Sequence, residues 1–199
     1  MKIAFGLKAH SGWAALVAVA KQDKEFVVVD RRRIELVEDD WAKQPYHAAE
    51  NLNPDAARKL VKRGIAAANR NALREIRQAI KREEKRGNEV IACGVLVTDP
   101  MPDWSVAEIL AVHFRMHKAE GVLFRETLSR AARATELALI EIPEKTLATH
   151  AEKALNISID DLNRSITLLG KMVGPPWRKD QKEAAVAAII ALGEIKHEI

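Results

Sequence analysis

Several residue types and patterns are scarce in this chain of 199 residues. It contains one cysteine, Cys93, which excludes an intrachain disulfide framework and a zinc site built from several cysteines. Aromatic residues make up only 5% of the sequence, so few side chains are available to stack on the bases of a single-stranded nucleic acid. No uninterrupted apolar run reaches the roughly 18 residues that a membrane span requires.

The amino terminus also lacks the pattern of a signal peptide. Met1 and Lys2 are followed at once by a strand-like run, Ile3–Leu7, rather than by a long apolar helix-forming stretch. The single cysteine fits a reducing compartment. We therefore expect a soluble, cytoplasmic protein that does not associate with membranes.

The overall composition is that of a globular protein. Hydrophobic residues account for 48% and charged residues for 30% of the chain. We find no internal repeat and no low-complexity linker, and we therefore expect one domain spanning residues 1–199. With 32 Lys and Arg against 28 Asp and Glu, the net charge is +4, which permits a polyanionic partner without requiring one.

The first 38 residues predict three antiparallel strands. Apolar, β-branched segments separated by short polar turns are typical of a meander. The segments are Ile3–Leu7, Trp13–Ala20, and a third with apolar runs at Phe26–Val29 and Ile34–Val37. We expect a loop from Asp39 to Asn53.

Helices and strands alternate in the rest of the chain. Asn53 and Pro54 are typical of a helix start, and Gly121 inside a later helix suggests close packing. The predicted elements are a helix over Pro54–Arg86, a strand over Val90–Val97, a helix over Val106–Arg133, a strand over Glu136–Ile142, and helices over Leu147–Leu155, Ser158–Met172 and Lys179–Leu192. Right-handed crossovers would place the later strands parallel to the first. This order predicts an α/β fold with a mixed five-stranded sheet and helices on both faces.

Short motifs along this order resemble the RuvC-type Holliday-junction resolvases of the ribonuclease H-like superfamily. The motifs are Gly6-Leu7 at the end of the first strand, Gly12-Trp13 at the following turn, the helix around His117–Gly121, the strand Leu139–Pro143, and the stretches Leu168–Gly170 and Lys179–Ala185. In the family the last stretch reads acid-x-x-acid-Ala-x-Ala. The resemblance implies a ribonuclease H-like fold over nearly the whole chain.

The resemblance also implies where catalytic residues would lie. Such enzymes hydrolyse phosphodiesters with two Mg²⁺ ions held by carboxylates of the first strand, the fourth strand and the last helix. The last helix carries this pair as Asp180 and Glu183, which share one helix face. Lys8 stands where the first strand would carry an acid, and the fourth strand offers Cys93 and Gly94 instead of one.

A lysine at this position opposes metal binding, because its ammonium repels a divalent cation and can pair with Asp180 or Glu183. We therefore expect a catalytically degenerate domain that acts as a nucleic-acid-associated or protein-interaction module, and we expect Mg²⁺ as a cofactor only if the domain is catalytic. The alternative is a Mg²⁺-dependent endonuclease with a rearranged set of carboxylates. Its additional acids would come from Asp30, Glu35, Asp99 or Glu141.

Positive charge is concentrated in the long predicted helix. Its eleven cations and four anions give +7, so the remainder of the chain carries −3. A stripe that could follow a phosphate backbone consists of Arg63, Arg70, Arg74, Arg77 and Lys81. A solvated helix face is the simpler interpretation. The partner that this stripe would bind is DNA or RNA. The alternative partners are a second copy of the chain or another protein.

Two pairs of residues, one of a histidine with a glutamate and one of two histidines, have the spacing of metal ligands. They are His47-x-x-Glu50 and His113-x-x-x-His117, of which the second would share one helix face. No glutamate follows His113, as a zincin motif would require. Phe114 and Met116 nearby favour ordinary packing over metal binding.

Overall fold

A five-stranded mixed sheet forms the centre of the molecule. The computed structural model describes residues 1–23 and 25–195. The strands are β1 (Lys2–His10), β2 (Trp13–Gln22), β3 (Glu25–Glu35), β4 (Glu89–Val97) and β5 (Ala138–Pro143). They lie in the order β3-β2-β1-β4-β5, with β1, β2 and β3 antiparallel and β4 parallel to both β1 and β5. The predicted meander, the later strands parallel to the first, and the mixed sheet are confirmed.

Seven α-helices are present within the residues that the structure describes. They are α1 (Pro45–Ala49), α2 (Pro54–Lys85), α3 (Val106–Leu110), α4 (His113–Arg133), α5 (Leu147–Leu155), α6 (Ile159–Val173) and α7 (Lys179–Ile195). Short 3-10 helices occupy Asp40–Lys43 and Glu144–Thr146. Over the described residues, none of the helices combines the length and apolarity needed to span a membrane.

The two faces of the sheet bury two separate cores. Because successive side chains of a strand point to opposite faces, Ile3, Phe5 and Leu7 of β1 lie on one face of the sheet. The helices α2 and α4 cover this face. Ala4 lies on the other face with Val17 of β2, and α5, α6 and α7 cover it. The helices therefore divide into two layers, one on each side of the sheet.

The helix α7 lies unusually close to the middle of the sheet. Gly6 of β1 and Gly94 of β4 are adjacent in the parallel ladder. A Cβ atom at Gly6 would overlap the carbonyl oxygen of Ala184, and a Cβ atom at Gly94 would overlap that of Ala187. The nearly continuous apolar run from Ala184 to Leu192 is buried against this surface, as the sequence predicts.

The predicted loop over Asp39–Asn53 is wrong, because this segment contains a 3-10 helix and α1. Pro45 begins α1, where its fixed φ suits the first helical position. Gly64 of α2 leaves room for the segment, since a Cβ atom there would lie 2.9 Å from Pro45 Cβ and 3.4 Å from the ring of Trp41. Tertiary packing against α2 thus orders a segment whose local sequence gives only weak signals for helix formation.

The single helix predicted over Val106–Arg133 is also wrong, because it is broken between α3 and α4. Val112 is extended, with φ −140° and ψ 113°, a conformation that a β-branched residue readily adopts. The guanidinium of Arg115 donates to the carbonyl of Glu108 across the break, at 2.9 Å. Gly121 does not mark close packing, since a Cβ atom there would meet no atom within 4 Å.

The long helix α2 is confirmed, but its buried face differs from the predicted one. The sequence suggests Leu60, Gly64, Ala67, Ala68, Leu73, Ile76 and Ile80. The buried residues are Ala57, Val61, Gly64, Ala68, Ala72, Ile76, Ala79 and Glu83. The helix packs largely through alanines together with Val61 and Ile76. Leu60, Leu73 and Ile80 flank this seam half-exposed.

Candidate functional site at the ends of β1 and α7

The carboxyl end of β1 faces the first turn of α7. On β1, Gly6, Lys8 and His10 point towards α7, because alternate side chains of a strand share one face. Lys8 contacts Glu183, and His10 contacts Asp180. The three residues that the family resemblance singles out, Lys8, Asp180 and Glu183, therefore lie together.

Lys8 is enclosed by carboxylates. The residue is 5% exposed, and its ammonium donates to Glu183 and, at 2.7 Å, to Oε1 of Glu144. Arg125 of α4 donates to the second oxygen of Glu144 at 2.8 Å. Lys8 and Arg125 thus neutralise Glu144 and Glu183 at the end of β1, and the exposed Lys179 adds a further cation 3.7 Å from Oε1 of Glu183.

The pKa values follow from this arrangement. Burial lowers the pKa of Lys8, but the hydrogen bonds and the charges of Glu144 and Glu183 outweigh it, so the pKa of the ammonium lies above its ordinary value. Burial raises the pKa of Glu144, yet hydrogen bonds from Arg125 and Lys8 bring the net pKa below the ordinary value. Both pKa shifts result from contacts that stabilise the charged forms of Lys8 and Glu144.

Asp180 lies beside an imidazole rather than beside Lys8. Its Oδ1 is 2.9 Å from Nε2 of His10, without the alignment of a hydrogen bond. The ring of His10 stacks on Trp13 with centroids 4.3 Å apart, and the guanidinium of Arg33 covers the same Trp13 ring at 4.1 Å. Asp180 therefore borders an aromatic and basic surface.

The fourth strand offers no oxygen ligand at this site. Cys93 points into the opposite core, where burial raises the pKa of its thiol to about 12 and makes it an inert side chain. Gly94 faces α7, whose backbone leaves no space for a side chain. The close approach of α7 thus explains why no acid occupies this position.

The other acids that the sequence suggested are engaged elsewhere. Each is paired with a neighbouring cation. The pairs are Asp30–Arg32 at 2.6 Å, Glu35–Arg33 at 2.5 Å, Asp99–Lys145 at 2.5 Å and Glu141–Arg133 at 2.8 Å. None of the four joins Asp180 and Glu183.

These residues do not fit a pair of Mg²⁺ ions. Mg²⁺ requires oxygen ligands in nearly octahedral geometry, whereas the carboxylates of Glu144 and Glu183 share the ammonium of Lys8. Within residues 1–23 and 25–195, no three carboxylate, thiol or imidazole ligand atoms converge at this end of the sheet.

The basic stripe of α2 lies on the opposite side of the sheet. All five of its predicted members, Arg63, Arg70, Arg74, Arg77 and Lys81, are exposed. Arg63 stacks on Trp41, and Arg74 pairs with Glu38 and Glu75. Among the described residues, Arg70, Arg77 and Lys81 form no ion pair. The structure therefore separates the stripe from Lys8, Asp180 and Glu183.

A second basic surface adjoins Asp180. It is a cleft of about 590 Å³ lined by Trp13, Arg31, Arg32, Arg33, Pro176, Arg178, Asp180 and Gln181. Arg31 has a structural role, since it donates to the carbonyls of Val173, Gly174, Pro175 and Pro176. The run of three arginines in β3 is visible in the sequence, but the proximity of this run to Arg178 depends on the tertiary fold. We call this surface the arginine cleft.

Comparison with known proteins shows similarity at the level of the fold. No protein-family model matches the sequence, and no curated protein matches it at a significant level. The solved structure of Thermus thermophilus RuvC matches with a TM-score of 0.51 and 9% identity, covering 98% of this chain and 96% of that one. T. thermophilus RuvC in complex with a Holliday junction substrate gives a TM-score of 0.51 and 8% identity, covering 99% and 96%. The ribonuclease H-like fold is thus confirmed over nearly the whole chain.

Proposed function

We propose that this protein is a nucleic-acid-binding ribonuclease H-like domain that does not cleave phosphodiesters by the two-metal mechanism. The observation that carries the proposal is the position of Lys8, whose buried ammonium bridges Glu144 and Glu183. A metal ion at Glu183 would have to displace this ammonium, and the charge repulsion between the two cations opposes it.

Two further features support the absence of metal-dependent cleavage. Gly94 leaves no room for an acid on β4, and Arg125 places a second cation on Glu144. Two-metal hydrolysis needs several carboxylates to hold the ions at the attacking and leaving oxygens. Asp180 and Glu183 alone would be a weak Mg²⁺ site.

Nucleic-acid binding is supported by the exposed cations of α2. From Arg63 the stripe continues at intervals of 7, 11, 14 and 18 residues, all close to whole helical turns. At about 1.5 Å per residue the stripe is about 27 Å long, comparable to about eight base pairs of duplex. Exposed cations in such a row release counterions when they contact phosphates. The solved structure of a RuvC protein with a Holliday junction substrate makes branched DNA a suitable first ligand.

The experiment measures the affinity of the full chain for labelled duplex, junction and single-stranded DNA by fluorescence anisotropy at several salt concentrations. We expect the duplex and the junction to bind, with affinity that falls steeply with salt. In the variant Arg70→Glu/Arg77→Glu, binding should weaken and the slope of log K against log[salt] should decrease by about 1 for each cation that no longer neutralises a phosphate.

The matched control is Lys153→Glu/Lys171→Glu, which makes the same change in net charge at exposed positions of α5 and α6. It should bind almost as the wild type does. A third variant, Arg33→Glu/Arg178→Glu, tests the arginine cleft. Equal decreases in affinity in all three variants would indicate a net-charge effect and would contradict a specific surface. Absence of binding at low salt would refute nucleic-acid binding and favour the protein-interaction alternative.

The second candidate function is a Mg²⁺-dependent endonuclease, which the presence of Asp180 and Glu183 on one face of α7 favours. It predicts strand cleavage in Mg²⁺ or Mn²⁺ that is abolished in Glu183→Gln.

A further inference from the structure

Three histidines from two separate segments meet at one point on the surface. His47 lies in α1, and His113 and His117 occupy successive turns at the start of α4. One ring nitrogen from each lies within 4.8 Å of the others, and the Nε2 atoms of His113 and His117 are 3.0 Å apart. We call these residues the histidine cluster.

Two backbone features that the local sequence did not predict create the histidine cluster. The break at Val112 begins α4 at His113, so that His113 and His117 share the exposed face of its first turns. The unpredicted helix α1 brings His47 against them. His113 and His117 are exposed, and their rings contact each other and the ring of His47.

A buried carboxylate holds His47 in place. Glu120 of α4 is 5% exposed, and one of its oxygens accepts hydrogen bonds from the backbone N–H groups of Tyr46 and His47, at 3.2 and 3.1 Å. Its other oxygen lies 2.7 Å from Nδ1 of His47. A proton on Nδ1 would donate to this oxygen, and Nε2 of the neutral ring would then carry a free lone pair.

This combination is characteristic of a transition-metal centre. Imidazole nitrogens suit Zn²⁺, Ni²⁺, Cu²⁺ and Fe²⁺ and not Mg²⁺ or Ca²⁺, and a metal-bound histidine usually donates its other N–H to a carboxylate. Two nitrogens bound tetrahedrally at about 2.0–2.1 Å from Zn²⁺ lie about 3.3–3.4 Å apart. The 3.0 Å between His113 and His117 is close to that value.

We propose that His47, His113 and His117 bind a divalent transition-metal ion of the Zn²⁺ class, with Glu120 as the positioning residue. The ion links α1 to α4. Three protein ligands leave the fourth coordination position to water or an external ligand, on the solvent side of two exposed histidines. This site lies apart from Lys8, Asp180 and Glu183, and the inference does not depend on the proposed function.

The test uses the full chain without a polyhistidine tag, stripped of metal with a chelator. Zn²⁺ is titrated by calorimetry, and Co²⁺ is used as a spectroscopic probe of low coordination number. We expect one Zn²⁺ per chain, visible absorption from bound Co²⁺, and a rise in Tm with Zn²⁺. The variant His113→Ala/His117→Ala should abolish all three responses, and Glu120→Gln should weaken binding about 10- to 100-fold.

The control is His150→Ala, because His150 lies outside the cluster and contacts Glu194. It should bind Zn²⁺ as the wild type does. If Glu120→Gln fails to fold by circular dichroism, the double variant decides, since both of its substituted residues are exposed. The proposal would be overturned if the wild type bound Zn²⁺ no more tightly than His113→Ala/His117→Ala does. It would also be overturned if His150→Ala decreased the affinity for Zn²⁺ as much as the double variant does.

Discussion

The side chain of Lys8 links three elements that are distant in sequence. Its ammonium contacts Glu144 after β5 and Glu183 on α7, while Arg125 of α4 completes the charge balance. Breaking such a group by removing one partner is costly, because the remaining charges are left partly buried without compensation. We infer that Lys8 stabilises the end of β1 by neutralising the partly buried carboxylates of Glu144 and Glu183.

The lowered pKa of Glu144 predicts a loss of stability in acid. A carboxyl whose folded pKa lies below its unfolded value of about 4.5 contributes its full stabilisation above that pH. The contribution is lost as the pH falls through the lower folded pKa. Glu144→Gln should therefore be less stable than the wild type at about pH 7, and the difference should shrink below about pH 4.5.

Urea unfolding of both proteins between about pH 7 and about pH 3 measures this difference. The control is Glu152→Gln, which removes an exposed carboxylate of α5 and should leave the free energy of unfolding nearly unchanged. A difference for Glu144→Gln that stays constant over the whole pH range would refute the role of the Glu144 charge.

The packing of α7 on the sheet depends on two glycines. Gly6 and Gly94 lie side by side beneath the backbone of Ala184 and Ala187. This contact positions the first turn of α7, and with it Asp180 and Glu183, over the end of β1. It also prevents any side chain from projecting from β4 at Gly94.

Substitution of Gly94 by alanine should therefore be severe. Gly94→Ala would place a methyl group against the carbonyl oxygen of Ala187, and we expect a decrease of at least about 1–3 kcal/mol in the free energy of unfolding. Gly121→Ala is the matched control, because a methyl group there meets no atom within 4 Å and alanine favours a helix by up to about 1 kcal/mol. Urea unfolding compares the two. Equal stability of the two variants would contradict the close packing of α7.

The elements differ in how far local sequence predicts them. The strands, α2 and α7 have strong periodicity, apolar runs or cap signals, and their approximate bounds are predictable. By contrast, α1 is ordered by Trp41 and Pro45 fitting against Gly64, and the break at Val112 occurs without glycine or proline. These two features depend on tertiary contacts, and they are the ones that assemble the histidine cluster.

The candidate site was predictable only in part for the same reason. Lys8, Asp180 and Glu183 could be placed together because their strand and helix were recognisable. Glu144 and Arg125 carried no sequence signal, since neither belongs to a motif. The contacts of Glu144 with Lys8 and with Arg125 are set by the packing of α4 and of the segment after β5. The arginine cleft likewise needs β3 and the segment before α7 to meet.

At the scale of the whole molecule, positive charge lies on two separate surfaces. The α2 stripe covers one side of the sheet, while the arginine cleft adjoins α7 on the other. Both surfaces expose cations that could contact phosphates, and the net charge of +4 does not distinguish between them. The affinity measurements on the two arginine variants distinguish these surfaces.

The most direct test of the proposed function asks whether bound DNA remains intact. Labelled junction and duplex DNA are incubated with the wild-type chain in Mg²⁺ and in Mn²⁺, and the strands are separated on a denaturing gel. We predict uncleaved strands under conditions where anisotropy shows binding, because Lys8 opposes a metal ion at Glu183. Metal-dependent cleavage by the wild type that disappears in Glu183→Gln would contradict this account.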